Sequence, residues 1–342
     1  MEHAIYQFEN LPAGSPGETG DARADMDGGK RIGVIFNTRS HGNLGREPKV
    51  GNRDIVTLVR PETRREIAQT LAEFKQQAIE LLVISGGDGT VRDVLTLGQL
   101  IFGSDWPQIA ILPRGKTNAL NVDLGSPRRW RLAEAVEAFR DPDSRRVTRR
   151  PLAIHSQDAD TPPMLGFILG AGAYALGVEA GQNAHKAGFF NSLAVGVTSA
   201  WGILQTIFGS DANPWRRGER MVLREIDTDR AFVRSEHGQA GRRALMLAST
   251  LRTMPMGIKL FGRHDGPIRI VMLDHARRRL MAAVPGILAG WHPGWLGKAG
   301  LHHLVSAGFT LDLDGPIILD GEPFPAGSYR VELGPELTFV AG

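Results

Sequence analysis

A short apolar run, Leu81 to Ile84, breaks into Ser85-Gly86-Gly87-Asp88-Gly89-Thr90 and resumes as a helical pattern from Val91 to Leu95. No other tract constrains the chain as strongly. A buried strand that dissolves into glycines and enters a helix gathers backbone N–H groups and a helix N-terminus around one point, which suits an anion. Glycine serves there because a Cβ would keep a phosphate from the main chain. The plainer alternative is a tight strand–helix turn. An aspartate inside an anion-binding turn makes chemical sense when a cation such as Mg²⁺ accompanies the phosphate.

The strand–turn–helix pattern recurs. Arg31 to Phe36 is an apolar run ending at Asn37, and Asp54 to Val59 is another. Between Pro61 and Gln77, Ile67, Leu71 and Phe74 share one helical face. Gln108 to Leu112 reads as a further strand, followed by Pro113-Arg114-Gly115. This alternation predicts a parallel sheet covered by helices, with ligands collected at the carboxyl ends of its strands. A helix carrying Leu132, Val136 and Phe139 stops at Asp141-Pro142. The pattern then changes to antiparallel strands at Met221–Ile226, Ala244–Ser249, Ile268–Leu273 and Thr310–Leu313, interrupted by a long helix over about Asn191–Phe208. A domain boundary is expected near residue 149. The strands Pro316–Asp320 and Tyr329–Leu333 fit either domain.

At 342 residues the chain is long enough for two cores. It has no cysteine, which excludes disulfides and thiolate metal sites and is compatible with a cytoplasmic location. The polar first 30 residues lack a basic start and an apolar core, so they read as a disordered extension and not a signal peptide. With six acids and two bases this extension is net −4, leaving about +7 on the remainder of a chain whose total is +3. A moderately basic body suits phosphates or acidic lipid surfaces. No nucleic-acid motif accompanies it.

Four more tracts join the glycine turn: Asn37-Thr38-Arg39-Ser40-His41-Gly42-Asn43, Pro113-Arg114-Gly115-Lys116-Thr117-Asn118, His264-Asp265-Gly266, and Asp320-Gly321-Glu322-Pro323. In that order the five resemble the diacylglycerol kinase catalytic-domain family, which includes bacterial lipid kinases and the sphingosine and ceramide kinases. The likeness runs from about Arg31 to Phe339. It implies a Rossmann-like three-layer α/β nucleotide-binding domain, a β-rich, β-sandwich-like second domain, and a cleft where ATP meets a lipid hydroxyl. The expected division is a disordered 1–30, an ATP-binding domain over 31–148, an acceptor domain over 149–315, and a C-terminal segment 316–342 bearing the Asp-Gly-Glu motif.

By the same resemblance, Gly86, Gly87, Asp88, Gly89 and Thr90 hold the ATP phosphates and Mg²⁺, Asn37 and Ser40 close the site, and Gly115, Lys116 and Asn118 line it. Glu322 is the general base that deprotonates the lipid hydroxyl. Asp88 acts at the reacting centre and as a metal ligand, and Asp265 binds a structural Mg²⁺. The implied partners are ATP and a membrane lipid reached by peripheral contact from the cytoplasm, with a homodimer allowed. The family pattern is altered at Thr38 (proline), at His41 (glycine) and at Lys116 (threonine). Ala119 stands where bacterial members carry an acid, and Asn118-Ala119-Leu120 is similar to the sphingosine kinase version. Asp123, one helical turn on, is a candidate substitute. An NAD kinase, which shares the glycine turn, and a non-catalytic nucleotide or lipid binder are the alternative readings.

Other signals are less specific. Eight arginines between residues 128 and 150 read as a solvated face and linker, with attraction to anionic headgroups as the alternative. Gly170-Ala171-Gly172-Ala173-Tyr174 falls short of a dinucleotide fingerprint; in the resembling family it borders the acceptor site, which nominates Tyr174 and Glu179. His302 and His303 point to opposite faces of a strand and are not expected to share a metal. Trp291, Trp295 and Leu296, near Lys298, read as packing residues, with membrane contact or a lid over a lipid pocket behind.

Overall fold

The structure, a computed structural model, describes residues 30–44, 55–158, 161–186, 213–262 and 264–342. The N-terminal extension and the helix expected over Asn191–Phe208 lie outside the described residues. The chain divides into two units at Pro151–Leu152 and again at Gly334–Pro335, so that the last residues rejoin the N-terminal unit.

The first unit contains one sheet in the spatial order β2 (Ile55–Val59), β1 (Arg31–Phe36), β3 (Leu81–Gly86), β4 (Gln108–Pro113), β18 (Leu337–Val340) and β5 (Arg146–Arg149). Every neighbouring pair is parallel except β18 with β5. Strands covered on both faces read as continuous apolar runs, and Leu81 to Gly86 are all buried. Helix α1 (Arg64–Gln76) starts where the Thr63 side chain accepts the Glu66 N–H, and it buries Ile67, Thr70, Leu71 and Phe74. Phe74 lies against Gly33 of β1, where an added Cβ would be 2.6 Å from its ring. Helix α2 (Asp88–Phe102) packs beside α1. On the opposite face Leu132, Ala135, Val136 and Phe139 of α4 (Leu132–Arg140) join Ile32, Val34, Val83, Leu112 and Val340 in one apolar cluster. Two helical layers therefore enclose the sheet. The short helix α3 (Ala119–Leu124) follows β4.

The arginine-rich stretch is more structural than its composition predicts. Arg146 donates to the carbonyls of Ala138, Phe139, Asp141 and Ser144 at the end of α4. Ala138 and Phe139 are among the carbonyls that the C-terminus of α4 leaves without internal partners. Arg149 pairs with the buried Asp123 carboxylate at 2.6 Å.

The second unit has two antiparallel sheets of six strands. One runs β10 (Arg242–Arg243), β9 (Glu219–Glu225), β14 (Phe309–Leu313), β17 (Gly327–Leu333), β6 (Leu152–Ser156), β7 (Met164–Gly166). The other runs β13 (Leu301–Ser306), β12 (Ile268–Leu273), β11 (Leu245–Ser249), β8 (Ile168–Gly172), β15 (Ile317–Leu319), β16 (Glu322–Phe324). Helix α5 (Ala173–Lys186) packs on β8, β11 and β15, and β8 is buried throughout. A polar knot ties this unit together. The buried Asp274 carboxylate receives Arg243, the Ser235 N–H and hydroxyl, and His302. His303, next along β13, instead bonds the Leu260 carbonyl, so the two histidines do face opposite ways.

Candidate functional site

In the first sheet the chain moves from β1 outward to β2 and from β3 outward to β4, on opposite sides. Such a reversal leaves a crevice at the carboxyl ends of the two central strands. The Gly86–Thr90 turn lies there. Gly87 is the N-cap of α2 and brings no capping side chain. The positive end of a fifteen-residue helix dipole is thereby left for an outside anion.

Three loops are knitted around this turn. Asn37 donates from Nδ2 to Thr90 Oγ1 at 2.7 Å, and its Oδ1 accepts the Arg39 N–H at 2.9 Å. Ser40 donates its N–H to the Asn37 carbonyl at 3.2 Å, closing the β1 loop. The Gly42 N–H reaches the Arg114 carbonyl, and the Arg114 N–H reaches the Gly86 carbonyl, joining the loop after β4 to both others. Asn118, in the left-handed region at φ 48°, bonds the N–H and the carbonyl of Gly115 at 2.8 Å each. Its side chain shapes this loop from within.

The glycines have a packing role as well as room for a ligand. A Cβ on Gly115 would lie 2.7 Å from the Gly87 Cα, and one on Gly86 would lie 2.5 Å from the Thr90 Cβ. Carbon atoms normally meet at about 3.5–4.0 Å. The main chains of the two loops approach each other only because Gly87 and Gly115 both lack side chains.

Asp88 stands at the first position of α2, and its Oδ1 accepts the Ala119 N–H at 2.7 Å. Burial pushes its carboxyl above the ordinary aspartate value, against the pull of N–H donors at Ala119, Asn118 and Leu120. Asp88 thus links the start of α2 to the start of α3. Mg²⁺ commonly binds through one or two carboxylates together with substrate phosphates. Asp88 is the carboxylate that would hold an ion brought in this way. Among the described residues no group of three or more His, Asp or Glu is placed to hold a metal. Asp265 is exposed. Lys116 is exposed beside Gly115, and the carboxylate of Asp123, the candidate substitute for the acid absent at Ala119, is engaged by Arg149.

In the second unit the Asp320-Gly321-Glu322 motif is a hairpin. Asp320 and Gly321 have φ of 47° and 85° between β15 and β16, the left-handed pair that a tight two-residue hairpin turn requires. The Asp320 carboxylate accepts the N–H groups of Phe167 and Ile168 at 2.9–3.1 Å, fastening the turn to the start of β8. A Cβ on Gly166 would be 2.7 Å from Asp320 Oδ2. Asp320 therefore holds the turn, and the half-buried Glu322 opens β16 across from Leu319. Tyr174 is half-buried and Glu179 exposed on α5.

Two organising residues are absent from the sequence-derived set. Asn43 donates from Nδ2 to the carbonyls of Asn37 and Ser85, and its Oδ1 accepts the Ser85 hydroxyl. Its burial, at 3% exposure, distinguishes it from its loop neighbours, and no sequence pattern carries that signal. Gly166 likewise stands alone in sequence and matters only through Asp320.

Residues 31–149 match the diacylglycerol kinase catalytic domain. A solved diacylglycerol kinase from Bacillus anthracis str. Sterne is similar in fold, with a TM-score of 0.57, 13% identity, and coverage of 93% of this chain and 99% of that one. A second structure from the same organism gives 0.58 at 13% identity, with the same coverage. An NAD kinase from Archaeoglobus fulgidus in complex with ATP, at 12% identity and covering 91% of this chain and 93% of its own, reaches a TM-score of 0.42. No curated protein matches the sequence. Over residues 31–149 this chain is similar to the diacylglycerol kinase catalytic domain.

Proposed function

We propose that the protein is an ATP-dependent lipid kinase that transfers the γ-phosphoryl group to a hydroxyl of a diacylglycerol-like or sphingoid lipid. The observation that carries this reading is the convergence of three loops on the uncapped start of α2, within the residues that match the diacylglycerol kinase catalytic domain. Phosphoryl transfer asks a protein mainly for positioning and charge neutralisation. Backbone N–H groups of Gly87, Gly89 and Thr90 would take the phosphates, and Asn37, by fixing Thr90, would keep the first turn of α2 in place. Lys116 and the helix dipole would offset negative charge. A bound Mg²⁺, held through Asp88, would neutralise charge on the phosphate oxygens. Glu322 is proposed as the base that accepts the proton of the lipid hydroxyl, on the strength of the family motif and the rigid hairpin that carries it.

Radiolabelled ATP offered with diacylglycerol, ceramide, sphingosine and NAD in parallel tests the reading. A labelled lipid is expected, and its identity selects between the glycerolipid and sphingoid acceptors. Labelled NADP as the sole product would replace the lipid reading. The engagement of Asp88 with Ala119 favours one second reading, nucleotide binding without transfer. ATP binding with no labelled product from any acceptor would establish it.

A further inference from the structure

The second unit carries an exposed aromatic and basic rim that the kinase chemistry does not use. Trp291 and Trp295 are 53% and 40% exposed, although the sequence pattern suggests packing residues. Their rings meet edge to face at 6.0 Å. Met256 is 93% exposed at the tip of the Pro255–Gly257 turn, at φ 58°. The two segments form one folded rim. The Lys259 N–H donates to the Leu288 carbonyl, His292 Nε2 bonds the Lys259 carbonyl at 2.9 Å, and the Trp291 N–H donates to the Gly286 carbonyl. A Cβ on Gly290 would be 2.8 Å from the Lys259 side chain. Leu296, 3% exposed, anchors the Trp295 end in the core. The tryptophans are therefore presented to water by an ordered backbone.

Large apolar side chains held in water mark an interaction surface, and its charge selects the partner. Residues 251–300 contain eight Lys and Arg against two Asp. One of those acids, Asp274, is buried and paired with Arg243. Arg252, Lys259 and Lys298 are exposed on the same segments. A second copy of this chain would set like charge against like charge, whereas an anionic bilayer supplies the opposite sign and an interfacial zone favourable to tryptophan. Among the described residues no helix is long and apolar enough to cross a membrane. We infer that Met256, Trp291 and Trp295 insert into the headgroup region of an anionic lipid surface while Arg252, Lys259 and Lys298 engage its phosphates.

The inference needs neither nucleotide nor turnover, so its test is independent of the kinase reading. The full chain is mixed, without ATP or diacylglycerol, with vesicles of phosphatidylcholine alone or with about one-third phosphatidylglycerol, and bound protein is measured by sedimentation. Binding is expected to the anionic vesicles and to weaken with salt. W291A/W295A should lower the partition coefficient by at least about tenfold. K259E/K298E should lower it by at least about 30-fold, the equivalent of about 1 kcal/mol for each basic residue lost. W291F/W295F, which keeps the apolar bulk, should still bind, and brominated lipid should quench the wild-type fluorescence more strongly than that of this variant. Failure of the wild type to bind anionic vesicles overturns the inference. So does undiminished binding by a folded W291A/W295A protein, or a wild-type dimer that this pair of substitutions dissociates.

Discussion

The apposition of Gly87 and Gly115 can be tested by one methyl group. In Gly115→Ala the new Cβ would lie 2.7 Å from the Gly87 Cα and 3.1 Å from Asn118 Oδ1. Normal carbon–carbon contact is about 3.5–4.0 Å, so the two loops must part by about 1 Å. Gly115 does not occupy the left-handed region, so alanine meets no φ penalty and the cost is steric. Overpacking of this kind typically costs about 1–3 kcal/mol. At 2 kcal/mol the midpoint of thermal unfolding of the first unit would fall by about 4–8 °C. The functional loss should be larger than the stability loss, because a 1 Å misplacement of positioning groups can cost about 100-fold in rate. Nucleotide affinity measured by calorimetry, phosphoryl transfer to the accepted lipid and the unfolding midpoint should therefore all decline. Gly294→Ala is the control, since no atom lies within 4 Å of its added Cβ. Wild-type melting and nucleotide affinity in Gly115→Ala would refute the argument that these loops are rigidly apposed. A lowered midpoint with unchanged affinity would show that the apposition serves folding alone.

Glu322→Gln should reduce turnover by about 10²–10⁴-fold with nucleotide affinity retained, the signature of a lost general base; an equal loss of binding would make Glu322 structural. Asp320→Ala leaves the Phe167 and Ile168 N–H groups without their acceptor, at about 1–3 kcal/mol for each left unsatisfied. Chemical denaturation should register that loss in the second unit, and an unchanged midpoint would remove Asp320 from its anchoring role. His303 gives a pH dependence. Burial, reinforced by the neighbouring His292 and His264 and opposed by the bond to Leu260, lowers its pKa from 6.5 to about 4. Between those values the unfolded chain takes up a proton that the folded one does not. Stability should thus fall as pH drops from about 6.5 to 4, by less than the full shift implies because the ring is partly open to solvent. His303→Gln keeps a donor for Leu260 and should flatten that part of the stability–pH curve, as read from denaturation midpoints across the range.

Local sequence was enough for strands β1 to β4 and for helices α1, α2 and α4. Strand β3, the glycine turn and α2 are encoded by hydrophobic period and by glycine chemistry within one continuous stretch, residues 81–102, so no distant contact is needed to read them. Ile67, Leu71 and Phe74 announce the buried face of α1 in the same way. What tertiary structure decided is where polar side chains spend their hydrogen bonds. Asp123 follows the altered loop in sequence, yet Arg149 takes its carboxylate. Asp320 and Glu322 belong to one motif, but three hydrogen bonds to residues some 150 positions away make the first an anchor. Trp291 and Trp295 look like core residues by composition and stand in water. Apolar period acts between neighbours in the chain and is therefore written locally. A hydrogen-bond partner or an exposed face depends on which distant strands the fold brings together, and only the folded chain contains that information.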